Sequence, residues 1–326
     1  MQRLTEIKNR IRSISDTRKI TGAMETISIA KMRKAMQKYE SSKQFFNTIL
    51  ETMRDIVQRT DEKPNIFFVE PEPHMPAIHI VIASDKGMAG AYNSNVLKHV
   101  WSLINQEGSA CSIFTIGHTA REFFIKKGCT IGAEFSEAEF ESSKRGAERI
   151  AHSVLTFFNE GRVGRVFLSY THMYENNITA PVTLTLLPLS AEIPNGMRNN
   201  LNKQQHQAEL RKIRYDPSEK EVLDLLVPQY LRWVVYSALV QSSASEHYAR
   251  RLAMSNATKN ATEILEDLTI RYHRARQESI TNELNEIITA TSGMNQDLSH
   301  GPHRRKACKV RRVRPFVLHN SLKEQF

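Results

Sequence analysis

The sequence predicts an α/β fold combined with a long antiparallel coiled coil. Three observations lead to this class: a proline-free stretch near each end of the chain, narrow apolar stripes in both stretches, and alternating short strands and helices between them. The predicted domains are an N-terminal long helix at 1–63, a central Rossmann-like foot at 64–207 and a C-terminal long helix at 208–294. A basic tail at 295–326 follows, and its composition predicts disorder because it cannot build a core.

The N-terminal helix is predicted because residues 1–63 contain no proline and a single glycine, Gly22. Its apolar residues mostly recur at spacings of three and four, which favours a narrow coiled-coil stripe. An ordinary helical bundle is the alternative, but bundle helices are shorter and have wider apolar faces. The predicted stripe comprises Leu4, Ile7, Ile11, Ile14, Ile20, Met24 and Ile27, followed by Ile29, Met32, Met36 and Tyr39.

The middle of the chain begins with prolines that end helical structure, at Pro64, Pro71, Pro73 and Pro76. Apolar, β-branched runs then alternate with amphipathic runs, which predicts a mostly parallel sheet covered by helices on both faces. The predicted strands are 77–84, 111–117, 165–173 and 180–189, the predicted helices are 96–106, 118–127 and 147–159, and 191–207 is a predicted surface loop.

The C-terminal helix is predicted because no proline occurs between Pro228 and Pro302. A continuous helix over Gln229–Ser292 would be on the order of 95 Å long, so it must extend beyond its own domain. Small residues such as Ala244 would let a partner helix approach closely. The predicted seam comprises Met254, Ala257, Ala261, Ile264 and Leu268, and farther on Ile280, Leu284 and Ile287.

The formal net charge of +10 is concentrated in two places. Residues 1–38 hold ten basic and three acidic side chains, and residues 295–326 hold eight basic and two acidic ones. This pattern is typical of a solvated helix face or of attraction to an acidic protein surface or phosphate. A basic coiled-coil protein that binds nucleic acid is therefore one alternative function.

Several classes of site are not indicated. Gly87 and Gly90 lie in a strand-to-helix loop, DKGMAGAYNSN, but they do not form GxGxxG, and the chain has no GxxxxGK[ST], HExxH or GxSxG. Three cysteines without CxxC spacing argue against a zinc site or a disulfide framework. We therefore predict no catalytic residue, cofactor or metal, although a nucleotide-using α/β enzyme with helical arms remains a second alternative. No apolar run reaches the ~18 residues of a membrane span, and the start lacks an apolar signal core.

Four segments in order carry a family resemblance: NRIRSISDTRKITGAMETISIAKMRKA, SDKGMAGAYNSN, ASEHYARRLAMSNATKNA and RARQESITNELNEI. Together they resemble the gamma subunit of rotary ATP synthases of the bacterial and organellar type, over residues 1–294. The resemblance implies a central shaft that couples proton or sodium flow to ATP synthesis without an active site of its own. The implied partners are the ring of alpha and beta subunits, the epsilon subunit and the membrane ring of c subunits. The implied location is the cytoplasmic face of the bacterial inner membrane, as a peripheral protein that binds no nucleic acid.

The resemblance also assigns contact residues along the shaft. Met24 matches the methionine where the shaft passes the acidic lever loop of a beta subunit, and nearby basic residues would form a positive collar there. A second set, near the end of the C-terminal helix, matches positions that contact loops of the catalytic subunits. The complete set of predicted subunit-contact residues is Met24, Lys31, Arg33, Lys34, Arg276, Gln277, Thr281 and Glu283.

Overall fold

The computed structural model describes most of the chain as two compact units. The larger unit is Arg10–Asp267, and the smaller one combines the chain before Arg10 with the chain after Asp267. The predicted loop at 191–207 and most of the predicted tail lie outside the described residues. The described residues are 2–59, 66–72, 74–108, 110–136, 144–174, 176–189 and 219–297.

Five helices and five strands are assigned in the described residues, together with a short 3-10 turn at Ile66–Phe68. Both predicted terminal helices are present, and the C-terminal one begins before the predicted proline-free run and continues through Pro228. In chain order the elements are α1 (Gln2–Arg59), β1 (Ala77–Ile82), α2 (Tyr92–Glu107), β2 (Cys111–Ile116), α3 (His118–Lys126), β3 (Ile131–Phe135), α4 (Lys144–Asn159), β4 (Arg165–Met173), β5 (Thr179–Leu187) and α5 (Glu219–Asp297).

The five strands form one sheet in the order β3-β2-β1-β4-β5. The first four strands run parallel, and β5 pairs antiparallel with β4. The prediction of a mostly parallel sheet is confirmed. Strand β3 was not predicted, because it is a short edge strand that contains Gly132 and whose side chains alternate between half-buried and exposed.

Helices cover both faces of the sheet, as predicted. On one face, Ile80 of β1 belongs to a core with α4, the base of α1 around Met53, and the first turns of α5 around Val234. On the opposite face, Val81 packs in a second core with α2 and α3. Since side chains on a strand alternate between faces, the continuous apolar run of β1 supplies both cores.

Helices α1 and α5 pair antiparallel within the unit Arg10–Asp267. The hydroxyl of Thr258 donates a 2.8 Å hydrogen bond to the hydroxyl of Thr21. Ala35 packs in a small cluster with Val240 and Ala244. Positions 21 and 35 on α1 thus pair with positions near 258 and 244 on α5, so the two helices run in opposite directions. The predicted antiparallel pairing is confirmed for this unit.

The seam of α1 differs from the predicted stripe. Ile20, Ile27 and Met36 are 60%, 56% and 44% exposed, so their predicted place in the seam is wrong. Thr21, Ser28 and Ala35, spaced by seven, are the buried side chains of this stretch, at 8%, 1% and 7% exposure. Small side chains at these positions allow the helix backbones to approach, whereas isoleucines would hold them apart. A strict seven-residue repeat is the period of a coiled coil.

The seam of α5 follows the prediction only in part. Met254 and Ala261 are buried at 6% and 5%, but Ile264 is 44% exposed and the half-buried Leu265 takes its place. The buried positions 254, 261 and 268 again recur every seven residues. Because an α-helix turns once every 3.6 residues, the neighbouring side chains of Ile264 and Leu265 point in different directions and cannot both face a narrow seam. The packing of α1 against α5 places Leu265 in the seam.

The smaller unit contains a buried residue and a long exposed helix end. Leu268 is 6% exposed, whereas Ile280, Leu284 and Ile287 are 45%, 54% and 62% exposed, so their predicted burial in an intrachain seam is wrong. Only the first turns of α1, up to Asn9, belong to this unit. The described chain therefore has no second helix here that is long enough to cover α5. Among the described residues, no helix has the length and apolar character needed to cross a membrane.

Candidate functional site

The first group of predicted contact residues lies on α1, in the unit Arg10–Asp267. Met24 is half-buried, and Lys31, Arg33 and Lys34 are exposed. The Met24 carbonyl accepts a 2.7 Å hydrogen bond from the hydroxyl of the buried Ser28, which satisfies a polar group in the seam. The structure thus keeps three cations accessible within one turn of the helix that borders the seam.

Two of these cations lie beside other basic residues around a cavity of about 550 Å³. Lys31 and Lys34 line it, whereas Arg33 is not among the lining residues. We call it the cationic cavity, and its basic lining residues are Lys31, Lys34, Lys38, Lys144 and Arg145. Sequence reasoning missed the last two, because they lie on α4, more than 100 positions after Lys38 in the sequence.

The second group of predicted contact residues lies on α5, in the smaller unit. Arg276, Gln277, Thr281 and Glu283 are all exposed. The Thr281 hydroxyl donates a 2.9 Å hydrogen bond to the Gln277 carbonyl, as expected for residues four apart on one helix face. The Glu283 carboxylate accepts a 3.2 Å hydrogen bond from the Ser279 hydroxyl. These side chains are therefore held at the surface of the helix, where a partner can contact them.

The glycine-containing loop after β1 uses its polar groups to hold itself in place. The Ser84 backbone N–H donates to the Asn93 side chain at 3.0 Å, and the Asp85 carboxylate accepts from the His118 N–H at 2.9 Å. The Arg250 guanidinium of α5 donates to the carbonyls of Lys86 and Gly87 at 3.3 and 3.4 Å. These contacts support the interpretation of the loop as a structural turn that anchors α5 to the sheet.

Buried hydroxyl groups attach α5 to the foot at two further points. The Ser245 hydroxyl donates a 3.0 Å hydrogen bond to the Thr171 carbonyl of β4. The Tyr92 and Ser242 hydroxyls lie 2.6 Å apart and share a hydrogen bond. Together with the Arg250 contacts, these bonds tie one stretch of α5 to β4, α2 and the loop after β1. Serines in a helix carry no sequence signal for such bonds, so the sequence did not reveal them.

The exposed end of α5 also carries large apolar side chains. Ile280, Leu284, Ile287 and Ile288 are each at least 45% exposed. Clustered exposed apolar residues on a helix are typical of a surface that another protein covers. They occur on the same stretch as Arg276, Gln277, Thr281 and Glu283. This stretch of α5 therefore has the composition of a protein-contact surface, with apolar and polar groups side by side.

A pair of long antiparallel helices mounted on an α/β foot, with charged and apolar side chains left open for partners, defines the class of a stalk protein. The family described as ATP synthase matches residues 3–294. An ATP synthase gamma chain from Alkaliphilus metalliredigens is 36% identical over 291 residues, which cover 89% of this chain and 98% of the relative. The chain belongs to the ATP synthase gamma chain family, and it is accordingly a central-stalk subunit of an F-type ATP synthase.

Two further comparisons agree with this family. A sodium-ion-specific ATP synthase gamma chain from Acetobacterium woodii is 33% identical, with 90% of this chain and 99% of the relative covered. A chain from the cryo-EM structure of the Euglena gracilis mitochondrial ATP synthase aligns with a TM-score of 0.63 at 16% identity, with 94% of this chain and 99% of that chain covered. The structural similarity supports the fold, whereas the assignment to the family rests on the sequence relatives.

Proposed function

We propose that this chain is the rotating shaft of its ATP synthase, and that it couples ion flow through the membrane ring to nucleotide chemistry in the catalytic ring. The observation that carries the proposal is the exposed end of α5. There, polar contact residues stand beside apolar side chains such as Leu284, which is 54% exposed. Clustered apolar side chains exposed on a helix mark a surface that other proteins cover, so surrounding subunits account for this helix end.

The proposed partners follow from the family. The alpha and beta subunits form the ring around the helix pair, and the foot lies against the epsilon subunit and the c-subunit ring. The chain is then peripheral to the membrane, on the cytoplasmic face of a bacterial inner membrane. It has no catalytic residue of its own, because the reaction takes place in the surrounding ring.

The predicted contact residues receive roles within this proposal. Lys31, Arg33 and Lys34 form a positive collar that an acidic lever loop of a beta subunit pushes against, next to Met24. The exposed ammonium and guanidinium groups suit carboxylates, and their attraction is screened by salt because they are exposed. Nearer the end of α5, Arg276 offers two parallel N–H donors to a carboxylate or a carbonyl of a catalytic-subunit loop. Gln277, Thr281 and Glu283 extend this contact along the helix.

Coupling requires that the shaft interact differently with different conformations of the ring. The shaft is asymmetric, since its two helices carry different side chains: α1 carries the basic collar Lys31, Arg33 and Lys34, and the end of α5 carries exposed apolar residues. Each surrounding subunit therefore meets a different surface at a given angle. A rotation that exchanges these surfaces shifts each catalytic site between conformations, to the extent that the contacts differ in free energy.

The test compares two double variants of the assembled complex. Arg276→Ala with Gln277→Ala should lower ATP synthesis by about fivefold or more, equivalent to roughly 1 kcal/mol of coupling free energy. It should leave the melting temperature of the subunit nearly unchanged, because both side chains are exposed. Lys259→Ala with Asn260→Ala is the matched control, since it removes one cation and one amide from exposed positions of the same helix.

The control should keep most of its synthesis activity. Equal synthesis rates in both double variants would contradict the assigned contact. Copurification of the chain with alpha and beta subunits is the accompanying check on the alternative functions. Salt-sensitive binding of duplex nucleic acid without such copurification would favour the basic coiled-coil alternative.

A further inference from the structure

Two cysteines of the foot lie side by side at one end of the sheet. Cys111 is the first residue of β2, and Cys129 lies two residues before the start of β3. These strands pair in parallel with Ile113 beside Ile131, and the Ile113 N–H donates a 2.9 Å hydrogen bond to the Thr130 carbonyl. The same register, continued two residues towards the N-terminus, places Cys111 beside Cys129. Both are free thiols.

The two thiols lie on the same face of the sheet. Side chains on a strand alternate between faces, so Cys111 shares the face of Ile113, which packs in the core with α2 and α3. Cys129 is half-buried against the same core. The electrostatic interaction between Cys111 and Cys129 contributes to a raised pKa of the Cys111 thiol, which agrees with this placement. Because neighbouring strands lie about 4.8 Å apart, one small atom between them can bond to both sulfurs.

Both thiols are protonated at neutral pH. Burial raises the pKa of Cys111, and the neighbouring Cys129 and Glu107 add to this rise. Burial likewise raises the pKa of Cys129. The thiolate is the form that attacks a disulfide and that binds a metal ion, so this pair is poorly suited to either reaction. A reagent that consumes two protonated thiols at once is the chemistry that matches the pair.

A metal cation is a poor match for a second reason. Within the described part of the chain, no group of three or more His, Cys, Asp or Glu side chains could hold a metal ion. Both thiols are also half-buried, so a charged reagent would lose hydration on entering, whereas a small neutral one would not. The ligand class is therefore a neutral compound whose central atom forms two bonds to sulfur.

We propose that Cys111 and Cys129 form a dithiol site for trivalent arsenic compounds of the arsine-oxide class. The arsenic atom forms one bond to each sulfur, and its oxide oxygen leaves as water with the two thiol protons. Arsenic keeps its oxidation state, so the reaction needs no oxidant or reductant. The second arsenic–sulfur bond forms within one molecule, which makes the bridged product far more stable than an adduct on a single thiol. The site does not depend on the proposed shaft function.

Intact-mass spectrometry of the purified full-length chain tests the proposal with phenylarsine oxide as the probe. The reduced chain is treated with the probe and then washed with an excess of 2-mercaptoethanol, a monothiol. The wild-type chain should retain one phenylarsenic group, because a monothiol competes for only one bond at a time. A wash with dithiothreitol should remove the group, since this competitor also forms two bonds. Absence of a retained group after the monothiol wash would overturn the proposal.

Digestion of the treated wild-type chain identifies the bridged residues without any substitution. Trypsin cleaves after lysine and arginine, and Arg121, Lys126 and Lys127 lie between the two cysteines. The digest should contain the Cys111 and Cys129 peptides joined through one arsenic atom. A bridge from either peptide to the one that contains Cys308 would overturn the proposal.

Single cysteine variants provide the matched control. Cys111→Ser and Cys129→Ser each leave one thiol at the site, and should retain roughly a hundredfold less phenylarsenic after the monothiol wash. Cys308→Ser removes the third cysteine, which lies outside the described residues, and should retain as much as the wild type. Retention in Cys111→Ser or Cys129→Ser, or its loss in Cys308→Ser, would overturn the proposal. Circular dichroism of the three variants, with unchanged helicity expected, keeps unfolding from producing a false loss.

Discussion

At the scale of single residues, His79 shows how the sheet accommodates a titratable group. Its side chain on β1 is 1% exposed, stacks on Phe167 with ring centres 4.9 Å apart, and has Nε2 3.3 Å from a Glu107 carboxylate oxygen. Burial lowers the pKa of His79, and the nearby Glu107 carboxylate opposes this shift without reversing it. The folded protein therefore holds His79 neutral at neutral pH.

This lowered pKa predicts a loss of stability in mild acid. The unfolded chain binds a proton at His79 near pH 6.5, whereas the folded chain does so only at lower pH. The free energy of unfolding should therefore be highest above about pH 6.5 and fall below it, with a slope of at most about 1.4 kcal/mol per pH unit for this group. Urea unfolding of the full-length chain between pH 5 and 8 measures the slope.

The control uses the same substitution at an exposed histidine. His79→Gln should reduce the acid slope, and a remainder should persist because burial also lowers the pKa of His172. His152→Gln, at an exposed position of α4, should leave the slope as in the wild type. An unchanged slope in His79→Gln would contradict the assignment.

The exposed fraction differs between two apolar residues of α5 that the sequence pattern placed in the same seam. Leu268 is 6% exposed and Ile264 is 44% exposed. Leu268→Asp should lower the free energy of unfolding by about 3 kcal/mol or more, because it buries an unpaired carboxylate. Ile264→Asp should cost less than about 1 kcal/mol. Urea unfolding, monitored through the helical circular dichroism signal, measures the free energy of unfolding of both variants. Similar decreases in the two variants would contradict the observed seam.

At the scale of elements, the sequence correctly predicted the helices and strands whose signals are local in the sequence. The proline-free stretches near both ends form helices and strands such as 165–173 appear where predicted, because periodicity and composition are local signals. The seam of α1 was mispredicted because the largest apolar side chains were assumed to face the partner. The closely approaching helices instead select Thr21, Ser28 and Ala35, and that choice depends on a partner more than 200 positions away.

The observed seam of α1 and the stripe predicted from the sequence lead to opposite expectations for the stability of two variants. Ser28 is only 1% exposed, so Ser28→Leu places a large side chain in a closely packed position. It should lower the free energy of unfolding by about 1–3 kcal/mol. Ile27→Ser changes a side chain that is 56% exposed, and should stay within about 0.5 kcal/mol. Thermal unfolding of both variants distinguishes the two seams. A larger loss for Ile27→Ser would restore the original stripe.

The candidate sites show the same division between local and long-range information. Family resemblance assigned contact residues on α1 and α5, and the structure leaves the charged ones among them exposed. Resemblance did not indicate the cationic cavity, because Lys144 and Arg145 join Lys31 and Lys34 only through the packing of α4 beside the helix pair. The attachment of α5 by Ser242 and Ser245 was equally hidden, since a buried serine has no periodicity.

At the scale of the whole molecule, the described contacts provide what a shaft requires in its larger unit. Helix α5 is attached to the foot by buried hydrogen bonds and by Arg250, so a torque on the foot is transmitted to the helix. A narrow seam of small residues holds α1 beside it. The cations of α1 and the exposed end of α5 remain accessible to other subunits, which is where a ring would contact the chain.

Rotation itself is the most direct measurement of this account. Ile178, 57% exposed between β4 and β5, is changed to cysteine after the native cysteines are replaced, and a probe is attached there in a complex whose alpha and beta subunits are fixed to a surface. With ATP present, the probe should turn continuously in one direction, and Arg276→Ala with Gln277→Ala should reduce its torque or speed. A complex that hydrolyses ATP at full rate while the probe stays at a fixed angle would contradict the central claim.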